Sequence, residues 1–243
     1  MRTSKEILSS LIDNDQDQRT LPERLCEDCQ HALPVDGVGM ALMTDAGHQG
    51  VIAATDGPAT LMEDLQFTLG EGPCMDASLK RRPVLQPDLA RTATVLWPSF
   101  GPAVLDAGIA AIFALPLQIG AIRLGILDLY RTTPGNLDAE QLADALAYAD
   151  AAVAVLLHLQ GTTASGQGLH AQISHPLESR AEIHQATGVI SVQALVGVTE
   201  ALVLLRAHAY AVDRPILRIA REILAGTLRF PFGEDHYGST END

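Results

Sequence analysis

Ile109-Ala110-Ala111-Ile112-Phe113-Ala114-Leu115-Pro116-Leu117, followed after Gln118-Ile119-Gly120 by Ala121-Ile122-Arg123-Leu124-Gly125-Ile126-Leu127-Asp128-Leu129-Tyr130, is the stretch on which the fold turns. Each apolar run is too short for a typical core helix, and a glycine-containing break separates them. Two such runs read as paired strands at the centre of a sheet. Upstream, Val38, Met40 and Leu42 alternate onto one face of a third strand. Asp45-Ala46-Gly47-His48 supplies turn residues, and Val51 to Ala54 resumes as a fourth strand. Pro83-Val84-Leu85 is a short extended piece closed by Pro87.

Helical spacing brackets these strands. Residues 4–12 and 19–33 carry it, the latter through Leu21, Leu25, Cys29 and Leu33, until Pro34-Val35-Asp36-Gly37 ends it. Residues 58–66 and 98–107 read as shorter helices, and Leu137 to Gln160 as a long Ala/Leu helix. Strands grouped together with helices at both ends predict an α+β fold with an antiparallel sheet flanked by helices.

Gly161-Thr162-Thr163-Ala164-Ser165-Gly166-Gln167-Gly168 reads as a flexible linker. Beyond it the pattern is all helical, in a three-helix bundle. One helix spans about 177–194. A second starts at Val198-Thr199-Glu200, with Thr199 as candidate N-cap, and runs to about Val212. A third starts after the Asp213-Arg214-Pro215 break and runs to about Leu228. The expected organisation is therefore a helical extension over 1–18, an α+β domain over 19–160, a linker over 161–168, a helical module over 169–233 and an acidic tail over 234–243.

Charge follows the same division. Of a net charge of -14, residues 1–160 hold 10 basic and 21 acidic side chains, residues 161–233 hold 6 and 5, and the tail adds four acids. So acidic a chain repels nucleic acid at large, and any contact with phosphates belongs in the C-terminal part. No run approaches the ~20 apolar residues that span a bilayer, and the N-terminus has no signal-like apolar stretch, so a cytoplasmic protein without membrane contact is expected. Three cysteines do not make a disulfide framework.

The third helix carries the clearest constellation. Ile216, Ile219, Ala220 and Ile223 fall on one face, and Arg214, Arg218 and Arg221 on the other. Planar guanidinium forks suit phosphates and unpaired bases; the same stripe also fits a solvated face paired with Glu222 or with a partner's acids. Cys26-Glu27-Asp28-Cys29 has CxxC spacing but lacks the second pair that zinc needs, so two packed thiols are expected. Cys74, in the Gly70-Glu71-Gly72-Pro73-Cys74 loop before a helix start, is either a packing residue or an activated thiol. His170, His175, His184 and His208 lack metal-ligand spacing. There is no phosphate loop, no Ser-His-Asp set and no reasoned carboxylate pair, so no enzyme, no metal and no cofactor are expected. A ligand would sit between the sheet and its loops, with Met40, Phe67, Cys74, Trp97, Phe100 and Phe113 as candidate lining.

Residues 20–160 resemble a GAF domain. The resemblance is carried by Gly70-Glu71-Gly72-Pro73-Cys74-Met75-Asp76-Ala77, Pro83-Val84, Asp88-Leu89 and Leu124-Gly125-Ile126-Leu127-Asp128-Leu129-Tyr130. It implies a small-molecule, light or redox sensor, often dimeric. The segment Arg180-Ala181-Glu182-Ile183-His184-Gln185-Ala186-Thr187-Gly188-Val189-Ile190, with Thr199-Glu200-Ala201-Leu202, Leu205-Arg206, Ala209, Arg214 and Ile219-Ala220, resembles the ANTAR family of bacterial RNA-binding antitermination modules. That implies RNA hairpin loops as partners, a homodimer, and an RNA face that includes Arg180, Thr187, Arg206, Arg214, Arg218 and Arg221. The chain departs from the family where Thr187 replaces a lysine, Leu202 an aromatic, and Asp213 a neutral polar residue. These departures keep open a second reading, a GAF sensor or dimerisation protein whose helical bundle has become a protein-interaction module.

Overall fold

A computed structural model describes residues 2–12, 19–44, 47–163, 174–212 and 214–230. The chain divides into two compact units, Met1–Leu177 and Glu178–Asp243.

The first unit is built on a five-stranded antiparallel sheet of order β2-β1-β5-β4-β3. Its strands are β1 (Gly37–Thr44), β2 (Gly47–Ala54), β3 (Val84–Gln86), β4 (Ala111–Ile119) and β5 (Ile122–Arg131). The two apolar runs thus form β4 and β5, paired from Ala111↔Arg131 to Ile119↔Ile122. They read as near-continuous apolar sequence because both faces of the sheet are covered. On one face lie α1 (Ser4–Ile12), α2 (Leu21–Ala32) and α7 (Ala139–Thr163). They pack Ile7, Leu25, Tyr148, Ala152 and Leu156 against Val38, Met40, Phe113 and Leu127. On the other face lie α3 (Gly57–Leu69), α4 (Pro73–Lys80), α5 (Leu89–Leu96) and α6 (Phe100–Asp106). They pack Met62, Cys74, Ala93, Trp97 and Phe100 against Met43, Ile112, Ala114 and Ile126.

The stretch set apart as an extension, residues 1–18, contributes α1 to this core, with Ile7 fully buried and Arg2 donating to Asp28 Oδ2 at 2.7 Å and to the Tyr148 hydroxyl at 2.9 Å. The linker region also differs from expectation, since Gly161–Thr163 continue α7; residues 164–168 lie outside the described residues. Helix α7 corrects one further reading. Ala139–Leu159, with mean hydropathy 1.6, meets the length and composition of a membrane span. Its alanines and Leu156 are instead what lets it lie closely on the sheet, a common property of core helices.

The second unit contains α8 (Ser174–Ala194) from Glu178 onward, α9 (Val198–Ala211) and α10 (Ile216–Leu224). Ile183, Ala186 and Ile190 from α8, Ala201, Leu205 and Ala209 from α9, and Ile216, Ile219, Ala220 and Ile223 from α10 are buried. Helix α9 is capped by Gly197 with no side-chain cap bond, so Thr199 lies inside the helix rather than at its N-cap. The acidic tail lies outside the described residues.

Candidate functional site

Helix α3 is amphipathic in its spacing but not in its chemistry. Asp56 caps it by accepting from the Ala59 N–H at 2.7 Å, Pro58 occupies its first turn, and Gly70, with φ of 67°, ends it. Its buried positions are Ala59, Met62, Glu63, Gln66 and Phe67. Glu63 and Gln66 are therefore polar side chains on the face that meets the sheet, where an amphipathic helix ordinarily puts apolar ones. Opposite them, β5 presents Asp128, and β2 presents His48. All four side chains are buried, and Glu63, Gln66 and Asp128 are wholly inaccessible.

Small residues make the room. Asp128 is flanked in register by Gly39 on β1 and Ala114 on β4. A Cβ at Gly39 would lie 2.4 Å from Glu63 Oε1, and one at Gly72 would lie 2.7 Å from Gln66 Oε1. The Gln66 amide joins the groups: its Nε2 donates to Asp128 Oδ2 at 2.9 Å, and its Oε1 accepts from the Cys74 N–H at 2.8 Å, at the start of α4. His48 Nε2 lies 3.3 Å from Glu63 Oε2, and its ring lies 5.5 Å from that of Phe67. Burial, and then the negative charge of Glu63, hold the Asp128 carboxyl well above the usual carboxylate range, against the opposing effect of the Gln66 bond. The Gly70–Gly72 loop is tied outward as well: Glu71 Oε2 accepts from the Ser99 and Phe100 N–H groups at 2.8 and 3.2 Å.

The six expected pocket residues do not share one space. The sheet separates Met40 and Phe113, packed against α2 and α7, from Cys74, Trp97 and Phe100 on the opposite face. Alternation along β1 and β4 dictates this, since neighbouring side chains point to opposite faces. Phe67 lies on α3 beside His48. A separate open groove of about 400 Å³ lies between α1, α2 and α7, lined by Leu8, Leu11, Ile12, Leu21, Arg24, Ala154, Val155 and His158, and includes none of the six. The three thiols are buried, and burial pushes Cys26 and Cys29 up and away from the reactive thiolate. Among the described residues, no group of three His, Cys, Asp or Glu side chains is placed to hold a metal.

In the second unit, α10 turns Arg218 and Arg221 outward while its isoleucines are buried. Two of the three stripe arginines are held by carboxylates. Both Arg214 Nη atoms donate to Glu222, one at 3.2 Å, and Arg221 Nε donates to Glu182 Oε2 on α8 at 2.6 Å. The bonds from Arg214 hold the Glu222 carboxyl below its ordinary range. Thr187 corrects the expected RNA face: it is 1 % exposed, on the face of α8 that carries Ile183, Ala186 and Ile190, and its hydroxyl donates to the Ile183 carbonyl at 2.7 Å. Arg206 is half-buried on α9. The side chain of Arg180, and Asp213, lie outside the described residues.

Solved structures are similar to part of this chain. A domain of a two-component sensor histidine kinase from Sinorhizobium meliloti 1021 is 20 % identical, matches over 61 % of this chain and 96 % of its own, and gives a TM-score of 0.50. The GAF domain of a phosphoenolpyruvate-protein phosphotransferase from Coxiella burnetii is 16 % identical over 67 % of this chain and 97 % of its own, at TM-score 0.49. A type II free methionine-R-sulfoxide reductase from Thermoplasma acidophilum is 15 % identical over 65 % and 96 %, at TM-score 0.43. No match was found among curated proteins. The GAF domain profile matches residues 15–156, more than half of the sequence, and with the sheet and helices above it shows that the chain belongs to the GAF domain family, a family of small-molecule sensing and signalling modules.

Proposed function

We propose that the chain is a signal-responsive regulator of gene expression, in which the GAF domain senses a small molecule and an ANTAR-like C-terminal module binds RNA hairpin loops to favour an antiterminated transcript. In this reading residues 19–160 are the sensor and 169–233 the output, and the protein acts in the cytoplasm as a homodimer. Leu146 and Leu157, each 42 % exposed on α7, are its proposed dimer contacts. The observation that carries the reading is α10, whose isoleucines are buried in the bundle while Arg218 and Arg221 face outward, in the part of an acidic chain that is near charge balance. Arg218, exposed on α10, is the stripe residue best placed for a phosphate.

Gel-shift titration of the full chain against paired hairpins at rising salt tests this. Wild type is expected to prefer particular loop sequences, and Arg218→Ala to weaken binding and lower the slope of log affinity on log salt by about 1. Absence of loop preference together with an unchanged slope would sink it. Buried thiols, two of them held protonated, support a regulator rather than a thiol-based reductase.

A second reading, a protein-interaction module, is favoured by the exposure of Val192, Leu195, Val198, Val203 and Tyr210 and by the two arginine–carboxylate pairs. Gly188 bears on both readings. It lies inside α8 with nothing within 4 Å of where a Cβ would be, so the bundle itself does not require glycine there. Gly188→Ala is expected to stabilise the helical unit by about 1 kcal/mol, visible as a higher midpoint in thermal unfolding followed by circular dichroism. Loss of binding without loss of stability would place Gly188 at the contact with a partner.

A further inference from the structure

We propose that Glu63 and Asp128 form a proton-linked switch that couples ionisation of the GAF domain's interior to the Gly70–Gly72 loop. Two carboxyl groups, both wholly inaccessible from the surface, lie between α3 and β5, where Glu63 Oε1 approaches Gly39, the register partner of Asp128. Asp128 Oδ2 accepts from Gln66, while Oδ1 has no hydrogen-bond donor among the described residues and faces Glu63, another acceptor. Only a proton placed between the two carboxyls joins them. The pair therefore holds one proton and one negative charge. Releasing that proton to water leaves two adjacent negative charges in the core, a state that low dielectric strongly disfavours unless the packing changes.

The surroundings decide what changes. From β2, His48 faces Glu63 at 3.3 Å and supplies a positive charge there when protonated. From α2, the Cys26 thiol feels the Glu63 charge but stays neutral. From β1, Gly39 offers no charge, and α4 offers the Cys74 N–H through Gln66. The path of least resistance is Gln66, whose side chain is bonded both to Asp128 and to the α3–α4 junction. Glu71, in that loop, holds the N-terminus of α6, where the Phe100 ring stands edge-on to Trp97 at 6.0 Å. Trp97 is the chain's sole tryptophan, so it reports on this layer.

Trp97 emission of the full chain, followed from about pH 5.5 to about pH 9, the range to which burial moves carboxylic acids, is the test. Wild type is expected to show a single sigmoidal transition. Asp128→Asn, which keeps the shape of the protonated acid, is expected to abolish it, and His48→Gln to move its midpoint. Linkage gives a second readout. A carboxyl raised in the folded state contributes stability below its unfolded value and loses it as pH rises through the folded one, so the midpoint advantage of Asp128→Asn over wild type should grow with pH. Should Asp128→Asn not fold, Glu63→Gln carries the same expectation. A pH-independent wild-type emission, or a transition that persists in Asp128→Asn and disappears in His48→Gln, would overturn the proposal.

Discussion

Gln66→Leu is expected to lower the stability of the GAF domain by about 3 kcal/mol, with a fall in unfolding midpoint of about 10 °C. Leucine nearly matches glutamine in volume, so the loss does not come from a cavity. It comes from two buried groups left without partners: the Cys74 N–H at the first turn of α4 and Asp128 Oδ2 on β5. Each stranded group costs roughly 1–3 kcal/mol, more where a charge is involved, because water cannot replace what the amide gave. Gln66→Glu separates this account from simple packing. It keeps an acceptor for Cys74 but brings a third carboxyl to Glu63 and Asp128, so it should be worse than leucine at neutral pH and recover as the solution is acidified. Urea unfolding at two pH values measures both. A cost for leucine well below 1 kcal/mol would mean that these groups find other partners and that the amide is not what joins α3, α4 and β5.

The sheet was legible because its signal is local. β4 and β5 announce themselves as two apolar runs with a glycine break, and β1 by the alternation of Val38, Met40 and Leu42. Helix α5 was not legible: eight residues with Thr92, Thr94 and Val95, between Pro87 and Pro98, have weak helical preference, and tertiary contact supplies what propensity does not. Helix α4 was foreseen as a helix start after the Gly70-Glu71-Gly72-Pro73-Cys74 loop, but that stretch reads as loop throughout although Pro73 already opens the helix. The polar cluster was missed for a different reason. A ligand site was sought among aromatics, and the sheet turned out to divide them. The available signal was a breach of pattern: Glu63 and Gln66 fall at i+4 and i+7 from Ala59 on the buried stripe, and Asp128 interrupts the most apolar run of the chain. In the helical unit the spacing of Arg214, Arg218 and Arg221 could be read, and so could a pairing with Glu222, which Arg214 makes; the pairing of Arg221 could not, because Glu182 is 39 residues away in sequence. The burial of Thr187 likewise depends on which way α8 rolls, a choice its sequence barely marks, since polar and apolar residues are spread around it.

Gly101→Ala is expected to destabilise the GAF domain by about 3 kcal/mol or more. Gly101 is the second residue of α6, where alanine would ordinarily be the better helix former. Here a Cβ would sit 2.5 Å from the Ala93 carbonyl carbon and 2.6 Å from its oxygen. Backbone cannot rotate aside as a side chain can, so α5 and α6 must separate. Separation would disturb the Gly101 N–H bond to the Trp97 carbonyl at 2.7 Å, the Trp97–Phe100 ring contact, and the hold of Glu71 on the start of α6. The expected result is a lower unfolding midpoint accompanied by red-shifted Trp97 emission in the folded state. Gly188→Ala places the same methyl group in another helix with open space around it and is expected to stabilise. Opposite signs for one substitution at two helical glycines would isolate tertiary approach from helix propensity; a stable Gly101→Ala with unshifted emission would show that the α5–α6 crossing yields easily and that the layer around Trp97 does not depend on it.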